Sequence, residues 1–469
     1  AAVYLGDEEM KTILIPITSN FVIRSFLRAD TFSILASSPD VWLVFLAPEG
    51  KADYYRREFP GERVVFDVLP SSASSRRERF FRFVEIASIH TRTAEVMQKS
   101  ELLRSASKTY LPLRVGIFFI KSVLRALGQF RWWRACIRNG YAFFPAGKNV
   151  SVIFDRYHPD VVYAPTMLSA DMAILKEAKK RGIKTAGMLL SWDNLYSKTI
   201  LRVHPDILLV HTDSIKSQAE TLGDYPAERI RVVGIPQYDR VFRKQNIMAR
   251  DAFISSLGGD PAKKLIVYAL SGKQGLGIEY DIIAMLSGMR ADGRIHRDTE
   301  VLVRPYPRFD LSAGVMDRIK KQYGFLAEPS MAHAGTGKDS WEFDEAAIRL
   351  LTNTLWHADI IVTMYSTFFI EGAICDKPLI GIAFDGTQKN NFWNSAARFF
   401  EWDHMAEIKP LVGIRLVHSN AELAEAISAY LQHPQYDHEG RARIVSQQCG
   451  FTDGKAGERV GALLLDMVL

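Results

Sequence analysis

Ser366 and Thr367 stand where an apolar run, Asp359–Thr363, gives way to a helical pattern, Phe368–Cys375. Hydroxyls and free N–H groups at such a helix start form an anion site that the helix dipole favours. Glu371, early in the same helix, can reach two vicinal hydroxyls such as those of a ribose. A strand, Pro378–Ala383, follows. The order strand, Ser-Thr, helix with Glu, strand is a phosphate-plus-ribose layout. The plainer alternative makes Ser366 a helix cap and Glu371 a solvated helix residue. Upstream, Ser271–Gly277 (SGKQGLG) is a glycine-rich loop after the run Lys264–Leu270. Backbone N–H groups at Gly272 can approach a diphosphate closely, and Lys273 can neutralise it. The loop is neither a Walker A motif nor a GxGxxG fingerprint, and a simple turn is an equal reading. Arg304-Pro305-Tyr306-Pro307 closes the run Thr299–Val303. Its prolines fix the backbone, placing Arg304 to pair with phosphate and Tyr306 to stack on a base, unless Arg304 is simply held in an ion pair.

The first half offers a second set. Ser191-Trp192-Asp193-Asn194 follows the run Thr185–Leu190. Asp193 there can deprotonate an acceptor hydroxyl, and Trp192 offers a flat face to a sugar ring, with Asn194 beside them; helix capping is the alternative for Asp193 and Asn194. Ser19 and Asn20 follow the first strand, where a helix cap is as good a reading as a ligand contact. No HExxH, Cys/His cluster or DxD pair is present, so the expectation is no metal.

These residues must be carried by alternating strands and helices. Lys11–Ile17, Val41–Ala47, Arg63–Leu69, Asp160–Ala164, Thr185–Leu190, Ile207–Val210 and Arg231–Val233 read as strands in the first half. Phe21–Ala36 and Ala170–Arg181 read as helices between them. The second half repeats the pattern from Lys264 onward, ending in helices over Ala421–Leu431 and Glu458–Leu469. The fold class is therefore α/β, with two doubly wound Rossmann-like domains facing a cleft. The expected boundaries are residues 1–240 for the first domain, 241–262 for a linker and 263–450 for the second domain. Residues 451–469 are a final helix.

The 469 residues are 48% apolar and 24% charged, which excludes disordered and fibrous classes. The net charge of +6 is unevenly placed. Residues 76–138 hold 14 Lys/Arg and four acids, interleaved with Phe80, Phe81, Phe83, Phe118, Phe119, Phe130, Trp132 and Trp133. This segment lies in a helical insert spanning about residues 76–150. Cations with aromatic rings on helices suit an anionic membrane surface, a helix pair packed on the sheet being the alternative. Nucleic acid is not an expected partner. Three scattered cysteines build no disulfide framework, and no run is apolar enough to span a bilayer. The expected place is cytoplasmic, at the inner face of a membrane.

Arg304–Pro307, Met364–Asp385 and Thr452–Val460 together resemble GT-B glycosyltransferases. In particular they resemble the bacterial capsule and teichoic-acid group that includes the CDP-glycerol glycerophosphotransferases. That resemblance implies a nucleotide-sugar donor on the second domain and a glycan or lipid-linked acceptor on the first. It implies no cofactor and a metal-independent reaction. It implies Ser366, Thr367, Lys273 and Gly272 at phosphate, Glu371 at ribose, Arg304 at the leaving group, and Tyr306 and Asp385 on the donor side. Asp193 is the base if the enzyme inverts, and the final helix crosses back to the first domain. Tyr306 departs from the group, which has histidine there. A glycerophosphotransferase, a nucleotide-sugar 2-epimerase and a non-enzymatic membrane-surface adaptor are the other readings.

Overall fold

The computed structural model describes residues 10–70, 76–103, 110–272, 276–307, 313–329, 331–333 and 340–469. Fifteen strands appear among them. They are β1 (Lys11–Pro16), β2 (Val41–Ala47), β3 (Val64–Val68), β4 (Val161–Ala164), β5 (Lys184–Met188), β6 (Ile207–Val210), β7 (Ile230–Val232), β8 (Lys264–Ala269), β9 (Thr299–Arg304), β10 (Leu326–Ala327), β11 (Ala332–His333), β12 (Trp341–Glu342), β13 (Ile360–Thr363), β14 (Leu379–Ile382) and β15 (Arg415–Val417). The first seven form one parallel sheet in the order β3-β2-β1-β4-β5-β6-β7. Six others form a second parallel sheet in the order β10-β9-β8-β13-β14-β15. Strands such as VWLVFLA and KLIVYA are buried on both faces, as continuous apolar runs in a helix-covered parallel sheet must be. Each sheet reverses strand order once, between β1 and β4 and between β8 and β13. Ligand crevices form at the carboxyl ends of strands flanking such a reversal.

The two domains meet through buried polar contacts. Lys51 and Tyr55 of the first domain hold Glu342 of the second, at 2.5 and 2.7 Å. The Arg24 guanidinium reaches Glu371 at 2.9 Å. The expected helix over Phe21–Ala36 is in fact two pieces. A wide π-helical turn, Ile23–Leu27, precedes the helix Asp30–Ser37, with a break at Arg28 and Ala29. That turn carries Arg24 into the domain interface. A second π-turn, Asn194–Lys198, follows β5. Such turns are frequently found at functional sites.

The first sheet ends at Val232 and the second begins at Lys264, with short helices Asp239–Phe242 and Arg250–Ser256 between them. The final helix, Ala456–Val468, packs on Asp30–Ser37 of the first domain. Thr31 Oγ1 donates to the Gly457 carbonyl, and Gly461 lets Ile34 approach so closely that a Cβ would sit 3.1 Å from it. Asp239 accepts from the N–H groups of Ala456 and Gly457, capping this helix. The helix His438–Cys449 leaves no apolar periodicity in the sequence because its residues are mostly polar, although Ile444 and Gly440 are buried.

Five helices stand between β3 and β4: Arg76–Ala87, Arg92–Leu103, Leu111–Gly128, Arg131–Phe143 and Lys148–Tyr157. Some of their charge is structural. Arg134 and Arg138 clamp Asp224, and Arg202, wholly buried, pairs with Glu85 at 2.8 Å and Glu78 at 3.0 Å.

At the β1/β4 reversal, Asp171 accepts from Thr18 Oγ1, Thr166 Oγ1 and the N–H groups of Thr166 and Met167. Burial nonetheless raises its carboxyl from 3.8 to about 6. The folded state binds this proton more tightly than the unfolded chain. Its contribution is present below pH about 4 and is lost as pH rises through about 6. Asparagine does not titrate. The stability gap between wild type and Asp171→Asn should therefore narrow as pH rises from about 4 to about 6. Denaturant melts at several pH values check this, and a gap that widens refutes it.

Candidate active site at the domain seam

The second domain presents the ends of β8, β9 and β13. After β8, the Gly272 backbone lies at φ +100°, a conformation that favours glycine. Glu279 accepts from Ser271 through its N–H and hydroxyl and fastens this loop. Its second carboxylate oxygen is buried without a partner, and burial raises the group to about 7. Lys273 lies outside the described residues. After β13, Tyr365 stacks on Phe399 at 3.9 Å and meets Trp402 edge-on at 5.2 Å. Ser366 Oγ accepts from the Phe368 N–H, and Thr367 is exposed. Tyr306, half-buried after β9, lies near enough to Tyr365 to help raise its phenol, after burial, the larger cause.

The first domain presents the end of β5. Asp193 is half-buried, with Lys198 Nζ 2.7 Å from its carboxylate. Burial pushes Asp193 up, but Lys198 and His404 outweigh it and hold the carboxyl at about 2. His404 belongs to the second domain, at the start of the helix Asp403–Ile408. Its ring lies 4.8 Å from that of Trp192 and 5.7 Å from that of Trp402. It is buried, its Nδ1 has no partner, and burial lowers its pKa against the pull of Asp193. The imidazole is therefore neutral near pH 7 and lies within the electrostatic reach of the Asp193 carboxylate. A neutral imidazole next to a carboxylate can accept a proton and be stabilised as it does so.

Several expected site residues are committed elsewhere. Arg304 is buried and bonded to Glu328, with its guanidinium 5.4 Å from the centre of the Phe368 ring. A guanidinium so far from water needs a carboxylate, so it is not free for a leaving group. Glu371 is buried against Arg24 and does not offer an open carboxylate to a ribose. Asp385 is buried and accepts from the Ala396 N–H at 2.7 Å, shaping the loop after β14. Asn20 bonds Lys51 Nζ and the Trp341 carbonyl, which makes it part of the domain interface. Asn194 is likewise buried, donating to the Thr166 carbonyl at 3.0 Å. Ser19 Oγ accepts a long bond from the Phe21 N–H in a local turn. Trp192 is buried against His404 and does not expose a ring face to sugar.

The structure thus brings Asp193, Trp192, Tyr306 and Tyr365 together and adds His404, Lys198 and Trp402. No local signal marks His404, because it comes near Asp193 only across the domain seam, 211 residues away in the sequence. Among the described residues no group of three or more His, Cys, Asp or Glu is arranged to hold a metal.

Residues 202–466 match the family described as CDP-glycerol:poly(glycerophosphate) glycerophosphotransferase. The chain belongs to this family. That match covers β6 and β7, the linker, the whole second domain and most of the final helix, and so includes His404 and the end of β13 but not Asp193. Its members are transferases, and the narrower expectation of a sugar glycosyltransferase goes beyond what membership shows. No curated protein matches the chain significantly. Among solved structures, the Staphylococcus aureus MnaA–UDP complex is 10% identical, over 98% of each chain, with a TM-score of 0.54. A UDP-GlcNAc 2-epimerase from Neisseria meningitidis bound to UDP-GlcNAc is 12% identical, over 97% of this chain and 100% of that one, at 0.54. The wall teichoic acid polymerase TagF is 13% identical, over 97% and 88%, at 0.52. At these identities the likeness shows the GT-B fold, two doubly wound domains facing a cleft, and not a shared reaction.

Proposed function

We propose that the chain transfers a sugar from a nucleotide sugar to a hydroxyl of a glycan or lipid-linked acceptor in bacterial surface-polymer synthesis, without a metal ion. The single observation behind this reading is the Asp193–His404 pair facing the β8/β13 reversal across the domain seam. His404 takes the acceptor proton, and Asp193 stabilises the imidazolium that forms. The acceptor oxygen bonds to the sugar carbon as the bond from that carbon to the diphosphate breaks. The nucleoside diphosphate leaves toward Ser366, Thr367 and Gly272, with Tyr306 and Tyr365 beside it.

A glycerophosphate donor is the second reading, favoured by the family. It would move the bond to phosphorus and release a nucleoside monophosphate. Against it stand Tyr306, where that group has histidine, and Arg304, held by Glu328; neither offers a mobile cation to a phosphoryl group. The released nucleotide separates the two. Incubated with UDP-sugars and with CDP-glycerol plus an acceptor, the enzyme should yield the nucleoside diphosphate. Release of CMP from CDP-glycerol alone would replace the first reading by the second.

The acceptor side includes an anionic membrane surface. On the helix Leu111–Gly128, residues Pro112, Val115, Gly116, Phe119, Ile120, Val123 and Ala126 are all exposed and recur at spacings of three and four. This apolar stripe faces outward, the reverse of an ordinary amphipathic helix. Phe119 is 68% exposed and Trp132 57%, and the exposed Arg76, Arg77, Arg79 and Arg82 lie on the neighbouring helix Arg76–Ala87. No described helix is long and apolar enough to cross a membrane. Phe119→Asp should abolish co-sedimentation with vesicles containing phosphatidylglycerol, and unchanged sedimentation would remove the membrane from the account.

A further inference from the structure

A cavity of about 350 Å³ opens between the helix that carries the apolar stripe, Leu111–Gly128, and the start of the helix Arg92–Leu103. Its walls include Arg92, Glu95, Ser122, Arg125 and Gln129, with His90 and Thr91 at the start of the helix Arg92–Leu103. The charge here is unbalanced. Glu95 is shared by Arg92 at 3.0 Å, Lys99 at 2.6 Å and Arg125 at 3.7 Å, so three cations meet one carboxylate. Ser122 Oγ is buried with no hydrogen-bond partner. A hydroxyl without a partner beside surplus guanidinium groups matches the acceptor oxygens of a phosphate ester.

The cavity also joins two surfaces. Ser122, Arg125, Ala126 and Gln129 lie on the helix Leu111–Gly128, at the edge of its exposed stripe of Val115, Phe119 and Val123. On the opposite side, Thr91 Oγ1 donates to the Tyr196 carbonyl, in the π-turn directly after Asp193. Thr93 bonds Asp403, the residue before His404. A phosphate seated in the cavity would therefore have apolar surface on one side for acyl chains. On the other it would have the segments that carry the catalytic pair.

We infer that this cavity binds the phosphodiester headgroup of an anionic membrane lipid, whose chains lie along the stripe and whose head points toward the seam. The inference rests on the reading of a lipid-linked acceptor and deepens it. A lipid headgroup differs from a free phosphate in needing both the cations and the stripe.

The test is calorimetric titration of the full chain with monomeric dihexanoyl phosphatidylglycerol, dihexanoyl phosphatidylcholine and inorganic phosphate. The phosphatidylglycerol should bind, and each of the other two should bind at least about tenfold more weakly. Arg125→Gln should weaken the phosphatidylglycerol about tenfold or more, and so should Arg92→Gln, an exposed position where folding is not at stake. Arg318→Gln, exposed on the second domain, should leave binding unchanged. Glu95→Gln should tighten binding by releasing the cations it now holds, an effect that a purely structural role would not produce. Equal binding of phosphatidylcholine, equal binding of inorganic phosphate, or indifference to both arginine variants would overturn the inference. Because no donor is present, loss of lipid binding with nucleotide binding retained would sink this inference alone.

Discussion

Alanine at His404 should slow transfer by about 10²–10⁴-fold while leaving nucleotide affinity within a factor of about two, the range that a positioned acid or base contributes. The same loss is expected for Asp193→Ala. The two should not add, since both act on one proton. The reason lies in how the seam tunes the pair. Asp193, held at about 2 by Lys198 and His404 against burial, is too weak a base to take a hydroxyl proton by itself. His404, neutral because it is buried, is the stronger acceptor, and Asp193 supplies the charge that compensates its protonated form. Lys198→Met offers an independent check. Losing that ammonium should raise the Asp193 pKa and move the acid limb of the pH–rate profile without changing the KM for donor. Full turnover by Asp193→Ala would remove the pair from the chemistry.

The second large effect concerns the joint between the domains. Arg24→Ala leaves the Glu371 carboxylate buried without its cation. Breaking one side of such a pair costs about 3–5 kcal/mol. Both side chains are less than one-tenth exposed, so solvent does little to relieve that cost. Replacing both, as Arg24→Met with Glu371→Met, removes both desolvation penalties and should recover most of the loss. Denaturant unfolding of the two singles and the double measures the coupling. Singles that lose less than about 1 kcal/mol would mean the pair is effectively exposed in solution. A ribose-binding Glu371 would instead show an unchanged midpoint and a weakened nucleotide.

The fold was legible because parallel strands are buried on both faces and so write themselves as apolar runs. VWLVFLA, KLIVYA and DIIVT needed no partner to be read. The short strands β10, β11, β12 and β15 have two or three residues and leave no such run. The break at Arg28 is hidden because the π-turn is only five residues long and its wider i→i+5 winding is too brief to disturb the apolar pattern of Phe21–Ala36. The site was only half legible. The sequence puts Asp193, Tyr306, Ser366 and Thr367 just after strands, and β5, β9 and β13 do end shortly before them. What could not be read was commitment. Arg304, Glu371, Asp385 and Asn20 look like ligand-binding groups in isolation, and each finds a buried partner inside the protein. Glu328, Arg24 and Trp341 lie 24 to 347 residues from the groups they hold, so no local pattern announces them. His404 was missed for the same reason, since its role exists only where two domains touch.

A nucleotide held by the second domain at the β8/β13 reversal is what the proposed transfer requires first. Thermal unfolding of the full chain with UDP, GDP, CDP, CMP, ADP and dTDP, each with and without magnesium, measures this. A bound nucleotide raises the midpoint by mass action, by about 2.7 kcal/mol of stabilisation at a hundredfold excess over its Kd. One nucleoside diphosphate should raise the midpoint clearly, equally with and without magnesium, and Tyr306→Ala should reduce the shift. A midpoint unmoved by all six would contradict the central claim.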